Sequence, residues 1–395
     1  MRNFAMAVAC LLVAAALSSV APSAARAEDG VTDTTIKIGM FGPLTGSASM
    51  WGNPVQNGAI MIYKQANDKG GINGRQIEIV QEDGACDAAK TVAAVKKLIY
   101  REKVFMINAG MCSGAVMAAK EEIVANKVPF MLFAASQDAI TAPVNRYVFT
   151  VASTGPYDGK GMAAFTKSIP GAKRVALISH ADEWAKSKSE PFTAALKQAK
   201  IEIVAEETID RNIIDATPQV LAVKRQNPDV VALFTYPAES AAIVRDAYKY
   251  GLNVTFIGNN ALIDLPAMGE RAGSLDAVRN TYVMSAMSGA IGSPQLAPYE
   301  KLLKTYYPDE KVKADSFFGT ASAITVVEAL RRAGRDLTRE KLVDALESIR
   351  DFDAGVAPCR INLSPTNHQG CETETAWKLV GDKVVTVGSE WREVK

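Results

Sequence analysis

Three consecutive stretches decide the fold: TIKIGMFGPL (residues 35–44), PVQNGAIMIYKQANDKGG (54–71) and INGRQIEIVQED (72–83). The first is an apolar, partly β-branched run that ends in a Gly-Pro turn, the signature of a buried strand. In the second, Val55, Ala59, Ile62, Tyr63 and Ala66 recur at helical spacing, and Lys-Gly-Gly stops the pattern. The third opens on an Asn-Gly turn and alternates apolar with polar residues, as a strand does. Strand, helix, strand in this order implies a right-handed crossover and a parallel pair.

The rhythm continues outward. DAAKTVAAVKKLIYREK (87–103) is helical, with Val92, Val95, Leu98 and Ile99 on one face; VFMINAG (104–110) is a strand, a helix spans about 114–125, and VPFMLFAAS (128–136) is the next strand. After RYVFTVASTGP (146–156) the pattern restarts. KRVALIS, IEIVAEE, PDVVALFTY, NVTFIGNN and RNTYVMSA read as strands separated by helices such as EPFTAALKQAK and SAAIVRDAYKYG. The result is two similar α/β halves with largely parallel sheets covered on both faces, facing each other across a cleft. The helices SFFGTASAITVVEALRRAG (316–334) and TREKLVDALESI (338–349) are expected to return to the first half. A chain of 395 residues fits two domains or three.

The N-terminus carries Arg2, an apolar run from about Phe4 to Val20 and Ala-Arg-Ala ending at Ala27, the layout of a cleaved secretory signal peptide over residues 1–27. Nothing later has the roughly 18 uncharged apolar residues of a membrane helix, so the mature chain is expected in the bacterial periplasm. Four cysteines then remain, Cys86, Cys112, Cys359 and Cys371, an even number for an oxidising compartment. They allow three pairings, of which sequence proximity favours Cys86 with Cys112 and Cys359 with Cys371. With 44 basic against 43 acidic residues, there is no electrostatic reason to expect nucleic acid or a membrane surface as partner.

Ligands of open α/β sheets bind beyond the carboxyl ends of the strands. Here those places are held by FGPLTGSASMWG, NAGMCSGA, FAASQD, SHADEW, FTYPAES and GNNALID. Catalysis finds little support in them. GMCSG puts its serine one place too late for a nucleophile elbow. The two histidines, His180 and His368, lie in no metal-ligand pattern, and His368 reads as solvated in the turn SPTNHQG. No dinucleotide or nucleoside-triphosphate motif is present, so neither cofactor nor metal is expected. Asp83 and Asp87 read as caps. Ser113 at a helix start and Ser136 at the neighbouring strand end could grip one carboxylate between them, or each could cap its own helix.

The arrangement IKIGMFGPLTGSASMWG, GAIMIYKQANDKGGINGRQIEIVQEDGACD, GMCSGA and FAAS resembles the periplasmic solute-binding proteins of the leucine/isoleucine/valine-binding type, receptors of ATP-driven (ABC) importers. The likeness is dense in the first 110 residues of the mature chain and looser afterwards. It implies a type I fold, two doubly wound lobes joined by three crossovers, near Ala152–Pro156, Ser285–Ser293 and Asp353–Pro358. Lobe 1 would then take residues 33–152 and 286–357, and lobe 2 residues 153–285 and 358–395. By the same likeness Cys86–Cys112 is a disulfide pinning the loop of Ser113, and Ser113 and Ser136 hold a ligand carboxylate with backbone groups of Ala134 or Ala135. Trp51 forms an aromatic wall, Trp184 stands where relatives have tyrosine, and Tyr236 reaches the ligand from the second lobe. Cys359–Cys371 is a structural disulfide closing a hairpin with a long turn.

The departure is at FIGNNAL, where relatives commonly carry a glutamate for the ligand's ammonium and this chain has Asn259 and Asn260. A buried ammonium without a carboxylate is costly, so either the ligand lacks an α-amine or Asn260 with a carbonyl holds the ammonium. Phe133, Trp184 and Phe317 would suit a planar or apolar ligand, or Phe133 and Phe317 belong to the core. The expectation is a monomeric, non-enzymatic receptor that closes on a small carboxylate (an apolar amino acid or an aromatic or keto-acid analogue) and delivers it to an ABC permease in the inner membrane. The alternatives are a ligand sensor for an amide or organic acid and, less favoured, a secreted hydrolase.

Overall fold

In the computed structural model, which describes residues 28–46 and 48–391, β1 (Thr35–Gly42) lies parallel to β2 (Gln76–Asp83) along the whole of both strands. The signal-peptide reading of residues 1–27 falls outside the described residues. The crossover is α1 (Ser49–Asp68), and the stripe Val55, Ala59, Ile62, Tyr63 and Ala66 faces the core. α2 (Ala88–Lys96), β3 (Met106–Ala109), α3 (Ser113–Ala125), β4 (Phe130–Leu132) and the short β5 (Val148–Phe149) complete an all-parallel sheet in the order β2-β1-β3-β4-β5.

The chain then enters a second sheet through α4 (Gly155–Ser168), β6 (Arg174–Ser179), α5 (Glu183–Gln198), β7 (Glu202–Thr208), α6 (Thr217–Arg225), β8 (Val230–Phe234), α7 (Pro237–Lys249), β9 (Thr255–Gly258), α8 (Leu265–Ala272) and β10 (Thr281–Ser285). It returns to the first sheet for α9 (Ala297–Tyr306), α10 (Ser316–Ala333) and α11 (Arg339–Glu347), and ends in the second as β11 (Glu374–Val380) and β12 (Lys383–Trp391). The order there is β12-β11-β10-β9-β8-β6-β7. Its parallel part, β7-β6-β8-β9-β10, repeats the winding of the first sheet, whereas β11 pairs antiparallel with both β10 and β12.

Two segments distant in sequence build the first lobe because α1 and α10 approach at glycines. A Cβ on Gly58 would stand 1.8 Å from the Ser316 carbonyl oxygen, and one on Gly319 would stand 1.9 Å from that of Val55. The Thr320 hydroxyl donates to the Gly58 carbonyl at 3.0 Å. Beneath them Tyr63 Oη donates to Asn108 Oδ1 (2.7 Å), and Asn108 Nδ2 donates to the Met131 carbonyl (2.9 Å) and Ser322 Oγ (3.1 Å), so the network joins both segments to β3 and β4. α4 and α5 of the second lobe meet the same way. A Cβ on Gly159 would lie 2.1 Å from the Lys188 carbonyl oxygen.

The connections between the lobes are bonded to one another. Ser288 N–H donates to the Val356 carbonyl and Ser288 Oγ to that of Gly355, both at 2.9 Å, which pairs the second connection with the third. The first is bonded too: Thr150 N–H donates to the His368 carbonyl (2.9 Å) and Gly370 N–H to the Thr150 carbonyl (2.8 Å). Residues 358–371, allotted to the second lobe from sequence, therefore lie against β5 of the first, and the chain crosses between Cys371 and Glu374. His368 is a second correction. It is fully buried, stacked on Phe149 at 3.9 Å, with Nδ1 3.0 Å from the Val148 carbonyl and Nε2 3.2 Å from Glu347 Oε1. The turn is there, but it is folded onto the sheet edge. Cys359 and Cys371, with Cα atoms 6.0 Å apart, form a disulfide across this segment.

Candidate functional site

A sheet wound 2-1-3-4-5 has a switch point between its first and third strands in chain order, where connections leave for opposite faces and a crevice opens. In the first sheet this is between β1 and β3, in the second between β6 and β8. Trp51 follows β1, Ser113 follows β3, Trp184 follows β6 and Tyr236 follows β8. Four of the residues picked from sequence thus flank the two switch points.

On the first lobe, Cys86 and Cys112, with Cα atoms 5.5 Å apart, form a disulfide that holds the start of α3. Asp83 accepts from the N–H groups of Leu44 and Ala85, both at 2.9 Å, and Asp87 caps α2 by accepting from Lys90 N–H at 2.8 Å. Asp87 is thus the cap its position indicated, whereas Asp83 caps no helix and instead ties the loop after β1 to the turn after β2. Ser113 is buried, and its Oγ accepts from the backbone N–H groups of Ser136 (3.2 Å) and Gln137 (3.3 Å). It therefore clamps the loop after β4 to the start of α3. Ala134 and Ala135 both direct their N–H groups at the Gly110 carbonyl, at 3.1 and 3.2 Å, which engages those two donors within the lobe. Gly114 is exposed, with open space where a Cβ would stand, so the start of α3 has room beside it. Trp51 is partly buried at the start of α1.

The opposing wall is aromatic. Trp184 and Tyr236 stack with ring centroids 4.2 Å apart and planes 14° from parallel, and the Arg211 guanidinium lies 4.6 Å over the Tyr236 ring. Arg211 Nε donates to Asp182 Oδ2 at 3.2 Å, and Asp182 also caps α5 by accepting from Ala185 N–H. Burial pushes the Asp182 carboxyl up, but bonds from Arg211 and Ala185 outweigh this and hold it below its ordinary value. His180 supports the wall from behind: Tyr236 N–H donates to its Nε2 at 3.3 Å, which leaves Nδ1 as the protonated nitrogen donating to the Ile209 carbonyl at 3.0 Å.

Between the walls runs a buried polar seam that sequence reading did not find. Lys188 Nζ donates to Asp158 Oδ2 (2.7 Å) and across the lobes to Ser136 Oγ (3.2 Å), with both Lys188 and Asp158 fully buried. Asn260 N–H points at both Asp158 oxygens (3.2 and 3.3 Å), and Asn260 Nδ2 donates to Glu374 Oε1 at 3.2 Å. Burial, and then the Asp158 charge, push the Glu374 carboxyl well above its ordinary range. A glutamate thus stands beside Asn260 after all, brought by β11 from the far end of the chain. Phe317, the second residue of α10, is fully buried in the larger core, as is Phe133. A signal for Lys188 existed in its position: Trp184, Lys188 and Phe192 are all buried at spacing four on α5, so a cation interrupts an apolar stripe.

A family model described as periplasmic binding protein matches residues 35–378. Among curated proteins, the leucine-specific-binding protein of Salmonella typhimurium is 24% identical over 266 residues, 66% of this chain and 72% of that protein. Among solved structures, the branched-chain amino acid transporter substrate-binding protein LivJ from Streptococcus pneumoniae, in complex with isoleucine, superposes with a TM-score of 0.79 at 23% identity, covering 90% of this chain and 99% of that one. A solute-binding protein from R. palustris in complex with benzoate gives 0.78 at 19% identity, covering 90% and 96%. These structural likenesses bear on the fold. Among the described residues no helix is long and apolar enough to cross a membrane.

Proposed function

The chain belongs to the periplasmic binding protein family, whose members bind solutes, and from that premise we propose that it is the extracytoplasmic receptor of an ABC importer, closing its lobes on a small carboxylate. The observation that carries this reading is the convergence of the two switch points. Ser113 and Ser136 stand on one side of the cleft and the Trp184–Tyr236 stack on the other. Polar hydroxyls at a helix start opposite an aromatic face suit a ligand with an anionic head and an apolar or planar body. The curated relative is named for leucine, and the solved relatives hold isoleucine and benzoate, which together span amino acids and an aromatic acid.

Closing the lobes removes the aromatic face and the ligand from water and brings the two walls together, so affinity and closure are one equilibrium. The closed form is what a membrane permease would recognise, and the leader sequence would deliver the receptor to the periplasm as a monomer. Within the site, Trp51 and the stacked pair take the ligand body, Ser113 and Ser136 its carboxylate, and Asn260 anchors the seam beneath.

The test is a thermal-shift screen of ligand-stripped protein against leucine, isoleucine, valine and phenylalanine, their keto-acid analogues, benzoate and short amides. A ligand at about 100 times its Kd stabilises the fold by roughly 2.7 kcal/mol, a readily measured rise in Tm. A shift by any carboxylate supports the receptor reading, and a response confined to amides refutes the carboxylate assignment.

A further inference from the structure

We propose that Lys188 biases the hydrogen-bond polarity of the cleft: with its ammonium on Ser136, that hydroxyl joins Ser113 as a donor, and the site selects a carboxylate without an α-amine over the corresponding amino acid. This rests on the receptor reading above and names the ligand class within it.

A serine hydroxyl has one proton to give and two lone pairs to fill. On Ser113 both lone pairs are taken, by the N–H groups of Ser136 and Gln137, so this side chain can meet a ligand only as a donor. On Ser136 the hydroxyl oxygen accepts from the Lys188 ammonium, and the backbone carbonyl accepts from Gly155 N–H at 2.6 Å. The ammonium polarises the hydroxyl and strengthens it as a donor. Two donors and the start of α3, with open space at Gly114, form a surface for an anion.

The carboxylate nearest the serines, Asp158, is committed elsewhere, and the one carboxylate oxygen left without a partner beside Asn260, Glu374 Oε2, belongs to a carboxyl that burial drives toward its neutral form. Asp158 faces Lys188 and Asn260 N–H, and the Asn260 amide gives its nitrogen to Glu374. A ligand ammonium at Ser136 would also sit beside the ammonium already bonded there. Lys188 itself is fully buried and reaches the ligand through Ser136, so it is a positioning residue. Its register is fixed by the close contact of α4 and α5 at Gly159, which sets Asp158 and Lys188 opposite each other.

Titration calorimetry on ligand-stripped protein tests this with matched pairs: leucine against 4-methylpentanoate and 4-methyl-2-oxopentanoate, and phenylalanine against 3-phenylpropanoate. The expected result is at least tenfold tighter binding of the acid in the best-bound pair. Lys188→Met alone would leave Asp158 uncompensated, so the comparison variant is Lys188→Met/Asp158→Asn, with folding checked by circular dichroism. In it the acid-to-amino-acid affinity ratio should fall at least tenfold. A merely structural role would weaken both partners alike, and an unchanged ratio overturns the proposal. Tighter binding of the amino acid by the parent protein also overturns it while leaving the receptor reading intact; binding of no carboxylate of either kind defeats the receptor reading and this inference with it.

Discussion

Two helix pairs, α1/α10 in the first lobe and α4/α5 in the second, are brought together by the same device, a glycine against a facing carbonyl, yet they enclose different chemistry. Near α1/α10 lies a neutral network, Tyr63, Asn108 and Ser322, each member bonded to the next. Between α4 and α5 lies an ion pair, Asp158 with Lys188, whose ammonium also crosses to the other lobe. The close approach sets how near the backbones come. The residues beside it decide whether the contact serves as scaffold or communicates with the cleft. The neutral network fastens two chain segments into one lobe, and the charged contact touches the residue on which the ligand is proposed to rest.

The sharpest break of this comparison is Lys188→Met. Removing one partner of a fully buried pair leaves a buried carboxylate without its cation, and a loss of about 3–5 kcal/mol is expected in urea unfolding, most of it recovered in Lys188→Met/Asp158→Asn. Should the single variant unfold at the parent's urea midpoint, the pair is not what holds Asp158 in place. Next come Gly58→Ala and Gly159→Ala, each forcing a Cβ onto a carbonyl oxygen and each expected to lose about 1–3 kcal/mol by overpacking. They separate in their second readout: Gly159→Ala should also weaken ligand binding because it shifts Lys188, while Gly58→Ala should leave binding unchanged. Equal effects on binding would dissolve the distinction between scaffold and seam. Tyr63→Phe should lose about 1–2 kcal/mol, since it strips the donor from Asn108 Oδ1 in a buried network.

The smallest effect concerns pH. Asp315, just before α10, has its carboxyl raised to about 7, first by burial and then by the charge of Asp264, which caps α8 in the other lobe. A carboxyl whose folded pKa is raised binds its proton more tightly when folded, so stability falls as pH rises from about 4 to about 7. Asp315→Asn should therefore flatten the decline of Tm between pH 5 and pH 8, and an unaltered slope would assign that decline to the other raised carboxyl, Glu374.

Much of this organisation can be read from the chain itself. Short apolar runs such as Val230–Phe234 and amphipathic stretches such as α1 carry their periodicity locally, and strand ends show where a crevice must open. That is why the loops bearing Trp51, Ser113, Trp184 and Tyr236 could be chosen without coordinates. The seam is different. Asp158 meets Lys188 through a helix–helix approach, and Glu374 reaches Asn260 from a strand added at the chain's end; the α5 stripe marks Lys188 but not its partner, and nothing periodic marks the Glu374–Asn260 pairing. The placement of the segment 358–371 is hidden from sequence for a related reason. Its composition describes a turn, and only contacts distant in sequence, among them Gly370 with Thr150 and His368 with Val148 and Phe149, show which lobe it covers.

The bonded connections have a mechanical consequence. Three independent strands between two bodies would permit twisting and sliding as well as opening. Here the second and third are joined through Ser288 to Gly355 and Val356, the first is joined to the stretch 368–370, and the Cys359–Cys371 disulfide closes the segment leading to the last crossing. Coupled in this way, the connections would favour a hinge with one soft axis and high torsional stiffness. The relative orientation of the lobes would then reduce to a single aperture coordinate, and the rim would report little besides whether the jaw is shut.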